Sequence, residues 1–180
     1  GTLNGGIVMN TGLNVEGGRI EPGNGTTGIG TLTIKGNLAL VGRNNLAFDV
    51  DAAGTNFDHL QINGDFTVAG DNNTIVINKT TLAESVDKVT LITYTGTSDF
   101  TTAKVKVKGL EGIPHTLIHN TAEKKIQVDI DKARSSGTLT WAGTESGIWN
   151  FAAQNFLTGS TADAVVPKDK VNFTDAATNK

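Results

Sequence analysis

Two pairs of acidic residues are the first candidates for chemistry in this sequence. Asp49-x-Asp51 and Asp129-x-Asp131 each place two carboxylates on one side of an extended strand, because side chains two residues apart point the same way. Such pairs could bind Ca²⁺ or serve as the acid and base of a glycosidase. Neither pair has the glycine and glutamate of an EF-hand loop, and each lies beside a turn pattern, where aspartate is common. We therefore predict no catalytic residue from either pair.

The chain has three histidines, His59, His115 and His119, and no cysteine. His115 and His119 would share a helix face, but Thr116–Ile118 has the pattern of a strand and Pro114 precedes it. In a strand, residues four apart are separated by about 13 Å, too far to bind one metal ion. The lack of cysteine also excludes thiolate zinc sites and disulfides. The sequence predicts neither a metal site nor a cofactor.

The glycine-rich stretch Gly23-x-Gly25-x-x-Gly28 formally matches the dinucleotide-binding fingerprint. That fingerprint requires a helix after the glycines, because the helix N-terminus binds the pyrophosphate. Here Thr31–Ile34 has the pattern of a strand, so we interpret the stretch as a glycine-rich turn. No P-loop, Ser-His-Asp order or Cys-His pair is present either. We therefore predict a protein without enzymatic activity.

Two tryptophans, Trp141 and Trp149, are the candidate contacts with a glycan or a partner protein. The flat faces of tryptophan stack on sugar rings and anchor interfaces. The alternative is that both residues plug the open end of the repeat domain or form the core of a separate small β unit. The neighbouring Ile148, Phe151 and Phe156 favour this alternative.

Composition and charge restrict the class of protein. The 180 residues include 22 glycines and 3 prolines, with few stretches of good helix formers, which predicts an all-β fold. The net charge of −3 is spread along the chain, so the sequence predicts no nucleic-acid partner. No apolar run is long enough to span a membrane, so no membrane insertion of this segment is expected. Gly1 is not a natural start, and we expect a fragment of a longer protein.

An internal repeat positions these candidate residues. Residues 31–45 and 59–73 carry the same pattern 28 residues apart, with Gly36 matching Gly64. The repeated apolar residues are Leu32, Ile34, Leu38 and Leu40, followed by Leu60, Ile62, Phe66 and Val68. A fixed period of short alternating strands separated by glycine and asparagine is typical of a solenoid with stacked coils. Each repeat contains three strand patterns, which predicts a triangular coil with the apolar side chains pointing inward.

Two finer predictions follow from the same pattern. We expect Asn44 to stack on Asn72, and Asn45 on Asn73, at one corner of the coils. Leu13-x-Val15-x-Gly17 matches Leu32-x-Ile34-x-Gly36. This match predicts a shorter preceding coil in which Leu13 and Val15 occupy the positions of Leu32 and Ile34.

The pattern weakens after residue 78. Val89–Tyr94 indicates a further coil, and the valines and lysines that alternate over 104–108 predict an edge strand with one solvent-exposed face. Residues 117–130 have the pattern of an antiparallel hairpin that caps the last coil. We predict β-helix repeats with this cap over 1–132. An aromatic-containing segment over 133–180 would then be a second cap or the start of a further repeat unit.

The chain resembles a known family at several motifs. Gly18-x-Ile20-x-Pro22-Gly23-Asn24, Gly30-Thr-Leu-Thr-Ile34-x-Gly-Asn-Leu38 and Phe57-Asp58-x-Leu-x-Ile62-x-Gly64 resemble the passenger-associated repeats of bacterial autotransporters. Leu139-Thr-Trp141-x-Gly143, Trp149 and Val171-Asn-Phe173-x-Asp175 resemble an autotransporter-associated β-strand unit. The resemblance implies a right-handed parallel β-helix on the exterior of the outer membrane or secreted, serving as an adhesin or its stalk. It implies no catalytic residue, and the family's membrane-embedded barrel is not in this chain.

Three functional hypotheses result. The first is a non-enzymatic stalk or adhesive segment, with binding of a host or bacterial surface glycan or protein through the loop Glu21–Gly30 or the cluster Trp141–Phe156. The second is a carbohydrate-active β-helix, a lyase or hydrolase that uses Asp49 or Asp51. The third is end-to-end self-association through an open coil end.

Overall fold

The computed structural model describes residues 1–23, 28–51, 55–78, 85–111, 113–131, 137–143, 154–163, 165 and 169–174. These residues form β-strands and one short 3₁₀ turn, Thr102–Lys104. Contacts divide the chain into two compact units, Gly1–Leu110 with His115–Asp131, and Glu111–Pro114 with Lys132–Lys180. No helix in the described part of the chain is long and apolar enough to cross a membrane.

The first unit is a β-solenoid of about 5 turns, built from parallel coils. Its strands are β1 (Thr2–Gly5), β2 (Val8–Met9), β3 (Leu13–Glu16), β4 (Arg19–Pro22), β5 (Thr31–Ile34), β6 (Leu38–Val41), β7 (Asn45–Asp49), β8 (His59–Ile62), β9 (Phe66–Ala69), β10 (Asn73–Asn78), β11 (Val86–Tyr94), β12 (Val105–Lys108), β13 (His115–Asn120) and β14 (Lys125–Ile130). The strands return to three faces in turn. Face A has the order β1-β4-β7-β10-β12, face B has β2-β5-β8-β11-β14-β13, and face C has β3-β6-β9. The predicted triangular coil is therefore confirmed.

The strand registers confirm the 28-residue repeat on two of the three faces. Leu32 pairs with Leu60 on face B, and Leu38 pairs with Phe66 on face C. Each of these side chains is fully buried. Full burial of an apolar side chain of this size contributes roughly 1.5–3 kcal/mol before the cost of ordering the chain. The stacked columns of side chains are thus the main source of stability, and each coil depends on its neighbours.

The predicted asparagine stacking is wrong by one residue. On face A, Asn45 pairs with Thr74, so Asn44 lies beside Asn73 rather than Asn72. The physical reason is that Val41 pairs with Ala69 and Asn45 with Thr74, so the path from face C to face A is one residue longer in the later coil, and β10 begins with Asn73, which has no partner in β7. The 28-residue period therefore becomes 29 on this face.

The predicted shorter preceding coil is present, formed by β1, β2 and β3, but the position predicted for Leu13 and Val15 within it is wrong. Leu13 and Val15 lie on face C and pair with Leu38 and Leu40. The strand that pairs with β5 on face B is the two-residue β2. Alternating apolar residues are needed on all three faces, so the match between Leu13 and Leu32 did not identify the face.

The predicted hairpin and edge strand are confirmed. β13 and β14 pair antiparallel, and β14 also pairs antiparallel with β11, which ends the parallel stacking on face B. On face A, β12 is the terminal strand and pairs with β10. Its Lys106 and Lys108 are exposed, while Val105 is buried. Exposed lysines at a sheet edge oppose pairing with a further strand.

The second unit contains a four-stranded sheet. Its strands are β15 (Thr138–Trp141), β16 (Phe156–Thr158), β17 (Thr161–Asp163) and β18 (Lys170–Phe173), in the order β17-β16-β15-β18. β15 pairs parallel with β18 and antiparallel with β16. Its small core consists of Leu139, Trp141, Phe156 and Val165, with Val171 packed against it. Trp141, one of the two tryptophans predicted to contact a glycan or a partner protein, therefore lies in this core.

Candidate functional site

The polar side chains that could do chemistry gather at the corners between the faces of the solenoid. The corner between faces C and A, here called the amide corner, carries Asn44 and Asn73. The backbone N–H of Gly18 donates to Asn44 Oδ1 (3.0 Å), and the Asn44 side chain donates to Asn73 Oδ1 (3.0 Å). Both asparagines are 1% exposed. The two amides therefore join three successive coils through buried hydrogen bonds.

The corner between faces B and C, here called the glycine corner, carries a second series of such bonds. Asn37 Oδ1 accepts the N–H of Asp65 (2.9 Å), and Asp65 Oδ1 accepts the N–H of Thr97 (2.7 Å). The backbone and hydroxyl of Thr97 lower the pKa of Asp65, because both donate to its carboxylate. This carboxylate is therefore engaged as a link between coils.

Three glycines, Gly36, Gly64 and Gly96, precede these residues and bring the coils into close contact. A Cβ added at Gly64 would lie 2.6 Å from the carbonyl carbon of Gly36. A Cβ at Gly96 would lie 2.8 Å from the backbone nitrogen of Asp65. Contacts this short do not occur at real Cβ atoms, so glycine is required for close backbone approach at this corner.

The corner between faces A and B, here called the acidic corner, is organised by Asp58. Its Oδ1 accepts the N–H of Gly30 (2.8 Å) and its Oδ2 accepts the N–H of Asp49 (2.9 Å). The side chain is fully buried. Burial raises the pKa of Asp58 to about 6, the two backbone hydrogen bonds oppose this rise, and the nearby Asp49 and Glu21 add to it.

Asp49 is the least satisfied polar group of the acidic corner. It is 6% exposed, and neither of its carboxylate oxygens has a hydrogen-bond partner of ordinary geometry in the described part of the chain. Burial raises its pKa, and the adjacent Asn78 side chain partly offsets this. The neighbouring Glu21 is different, because Arg19 pairs with it at 3.0 Å and lowers its pKa.

In each of the two predicted carboxylate pairs, at least one carboxylate accepts hydrogen bonds from other residues of the chain. Asp51 accepts hydrogen bonds from the backbone of Thr55 (2.8 Å) and the side chain of Asn56 (2.7 Å). These bonds, that from the Asn56 side chain foremost, lower the pKa of Asp51 to about 2. Its partner Asp49 is buried, as described above. In the second pair, Asp129 accepts the backbone N–H of Lys88. Asp51 and Asp129 therefore each accept a backbone N–H from within the solenoid.

The histidines have separate partners. His59 Nε2 lies 3.1 Å from Thr93 Oγ1, and burial lowers the pKa of this histidine. His119 Nε2 lies 2.7 Å from the Tyr94 hydroxyl. Within the described ranges, no group of three or more His, Cys, Asp or Glu residues is arranged to hold a metal ion.

Trp141, one of the two predicted contact residues, is 8% exposed and lies in the core of the second unit. Its ring packs edge-on against Phe156, with 5.1 Å between centroids, and lies 6.1 Å from the ring of Phe173. Phe173 itself is 66% exposed. Trp149 lies outside the described residues, as do Asn24–Thr27 of the predicted binding loop.

Several residues that join the coils were not predicted from the sequence, above all Asp58, Asn37 and Asp65. A signal for two of them was present, since Gly36-Asn37 and Gly64-Asp65 recur at the repeat period. Asp58 does not recur, because the equivalent position one repeat earlier is Gly30; it was noted only within the motif Phe57-Asp58-x-Leu-x-Ile62-x-Gly64, with no role assigned. Asp99, which accepts the N–H of Val68 (2.7 Å), was also missed.

By its fold, the chain is a β-solenoid protein with a second, small β unit. The chain was compared with protein-family models, with curated proteins and with solved structures, and no match was found in any of the three comparisons.

Proposed function

We propose that this chain is a non-enzymatic segment of a bacterial surface or secreted adhesin of the autotransporter type, in which the solenoid serves as a stalk that can also carry binding loops. Stacked coils give length in proportion to the number of residues, and each coil is held by its neighbours. The partner of such a segment would be a surface glycan or protein. The motif resemblance described above supports the family.

One observation carries the proposal. At each of the three corners, a carboxylate or amide that could have served in catalysis instead accepts hydrogen bonds from a neighbouring coil. Asn44, Asp65 and Asp58 represent the amide, glycine and acidic corners, respectively. A side chain whose oxygens are occupied by backbone donors is restrained in position and is not free to accept a substrate proton. This use of polar groups favours a mechanical role.

The location of the protein tests the proposal first. An antibody against the chain should label intact cells of the source organism or detect the chain in the medium, and external protease should remove the surface label. Cells that lack the gene provide the control. A label that appears only after lysis would contradict a surface or secreted role.

A second experiment tests the absence of catalysis. Polyuronates and neutral polysaccharides are incubated with the folded chain, and reducing ends and unsaturated products are measured. We expect no turnover. The matched control is Asp51→Asn, because Asp51 belongs to the carboxylate pair that an enzyme would have used. Turnover that the substitution abolishes would establish the carbohydrate-active alternative instead.

A third experiment separates a stalk from a binding segment. The intact chain and a Trp149→Ala variant are screened on a glycan array and on host matrix proteins, after circular dichroism shows that both fold. Trp141→Ala is unsuitable here, because that residue lies in the core of the second unit. Binding that Trp149→Ala abolishes would assign the contact to this residue, and a folded chain that binds nothing would favour the stalk.

A further inference from the structure

The acidic corner includes a polar cluster on the outward side of face A. Phe48 of β7 is fully buried in the core. Side chains alternate along a strand, so the next residue, Asp49, points outward, and so does Asn78 of β10, which pairs with it. Glu21 of β4 follows the core residue Ile20 and points outward too. Three successive coils therefore place Glu21, Asp49 and Asn78 on one side of the sheet.

The side chains of Glu21 and Asn78 meet across β7. This strand lies between β4 and β10, so the strands that carry the two residues are about 10 Å apart. Asn78 Nδ2 nevertheless lies 3.5 Å from Glu21 Oε1. The two side chains thus lean toward each other over β7, where the outward-pointing Ala47 is fully buried and Asp49 is 6% exposed. The Asp49 carboxylate therefore lies beside polar groups and outside the apolar core.

The charges of this corner do not balance when its carboxylates are ionised. Arg19 donates to Glu21 from two nitrogens, each at 3.0 Å, so these two charges compensate each other. Asp58 binds two backbone N–H groups, which carry no net charge. In the described part of the chain, neither oxygen of Asp49 has a hydrogen-bond partner. Two negative charges therefore remain, and buried charges in proteins are normally paired or bound to a metal ion.

The available oxygen atoms indicate which ion fits. They are the two oxygens of Asp49, an oxygen of Glu21 and the side-chain oxygen of Asn78, which a half-turn of the carboxamide exchanges with Nδ2. Glu21 can take part although Arg19 pairs with it, because an ionised carboxylate has about four lone-pair sites. Carboxylate and amide oxygens bind hard cations, and Ca²⁺ tolerates irregular geometry whereas Mg²⁺ demands a near-ideal octahedron. Ca²⁺ also carries the two positive charges that the corner lacks.

We propose that the acidic corner binds one Ca²⁺ ion through Asp49, Glu21 and Asn78, with water completing the coordination. The site uses two carboxylates and one amide, which is why no group of three acidic or histidine ligands marks it in the described residues. So few protein ligands predict a Kd of about 0.1–1 mM, the range of Ca²⁺ sites in extracellular modules. The proposal is independent of the stalk or adhesin role, which requires no ion.

Calorimetric titration of Ca²⁺ into the intact, chelator-treated chain near neutral pH tests the proposal. We expect one site with the Kd given above. At about 10 mM Ca²⁺, the folding equilibrium constant from urea unfolding should rise about 10- to 100-fold, because the ion binds only the folded chain. Mg²⁺ at the same concentration should raise it less than about threefold. A chain that binds no Ca²⁺, or equal effects of the two ions, would overturn the proposal.

Asp49→Asn removes the central carboxylate and should weaken Ca²⁺ binding at least about tenfold. The variant should still fold, because it removes a buried, uncompensated charge, and urea unfolding in chelator checks this. The matched control is Asp51→Asn, the same change two residues later. Thr55 and Asn56 already donate to Asp51, so this variant should bind Ca²⁺ like the intact chain. Equal weakening by the two substitutions would show that the two aspartates bind the ion together, and the proposed ligand set would be wrong.

Asn78→Asp tests the same site by a gain of affinity. A carboxylate in place of the amide should tighten Ca²⁺ binding at least about threefold, because carboxylates are the stronger Ca²⁺ ligands. The same change should lower stability in chelator, since it adds a further uncompensated charge to the corner. Unchanged or weaker Ca²⁺ binding by this variant would exclude Asn78 from the coordination of the ion and overturn the proposed site.

Discussion

Acidification from neutral pH should stabilise the solenoid through the acidic corner, and Asp58 sets the magnitude. Its pKa in the folded chain is about 6, against a usual value of 3.8. A difference of about two pH units corresponds to about 3 kcal/mol. Because the folded pKa is raised, this stability is fully present below the unfolded pKa and is lost as pH rises through about 6. The unfolding free energy should therefore increase between pH 7 and about pH 4.5.

Neighbouring groups modify this profile in known directions. Asp49 adds to the effect of Asp58, since burial raises its pKa too. His59 opposes it, because its pKa is lowered by burial and the unfolded chain binds the proton first as pH falls. Asp51 and Asp65, whose pKa values are lowered by hydrogen bonds, cause a loss of stability only below about pH 4.

The assay is urea unfolding at a series of pH values, followed by two probes. Far-ultraviolet circular dichroism reports the strands, most of which belong to the solenoid. Fluorescence of the two tryptophans reports the second unit, because both fall within Lys132–Lys180. All the shifted groups named above belong to the first unit. The increase in stability should therefore appear in the dichroism transition and be absent from the fluorescence transition.

Asp58→Asn isolates the responsible group. The variant removes the titrating carboxylate and keeps one of its two oxygen acceptors. Near neutral pH it gains stability because no charge is buried, and it loses stability because one hydrogen bond is lost. These two effects on the unfolding free energy largely cancel. The informative quantity is the difference in pH dependence between the intact chain and the variant. We expect about 2 kcal/mol of that difference to develop between pH 7 and pH 4.5, because the full value of about 3 kcal/mol is reached only below the unfolded pKa of 3.8. Equal pH dependence in the two proteins would refute the assignment.

Two further predictions concern the other corners. Gly64→Ala should destabilise the solenoid by about 1–3 kcal/mol in urea unfolding, because the added Cβ meets the backbone of Gly36. The control is Gly6→Ala, which should be close to neutral, because the atom nearest to its added Cβ is 3.8 Å away. Asn73→Ala should cost about 1–3 kcal/mol by removing a buried acceptor, whereas Asn72→Ala, at an exposed position, should change stability by less than about 0.5 kcal/mol. If Asn72→Ala were more destabilising than Asn73→Ala, the result would support the stacking predicted from the sequence instead.

The repeat of apolar residues was enough to predict the three-faced coil. Side chains alternate in direction along a strand, so Leu32 and Ile34 had to point inward together, and a fixed period had to stack them on Leu60 and Ile62. The edge strand over 105–108 and the hairpin β13–β14 were predictable for a similar reason. In the edge strand valines and lysines alternate, and in the hairpin a polar loop joins the two strands. Both patterns show directly which neighbouring residues are exposed to solvent.

The stacking at the amide corner could not be predicted in the same way. The shift from Asn72 to Asn73 depends on one additional residue between the paired positions of faces C and A, and connections of different length can join the same two faces. The face of Leu13 was likewise ambiguous, because the same alternation of apolar residues serves faces B and C. Local patterns determine which side chains point inward, but not which strand of the neighbouring coil they meet.

The sequence by itself thus determined the period, the strands and the inward side chains of this protein, since these depend on residues close together in the chain. Only the tertiary structure decided the roles of Asp58 and Asp49, because their burial and their hydrogen bonds depend on the packing of separate coils. It also placed Trp141 inside a core formed with Phe156. Burial, and with it the pKa of a carboxylate or the accessibility of an indole ring, depends on contacts between segments that are distant in sequence.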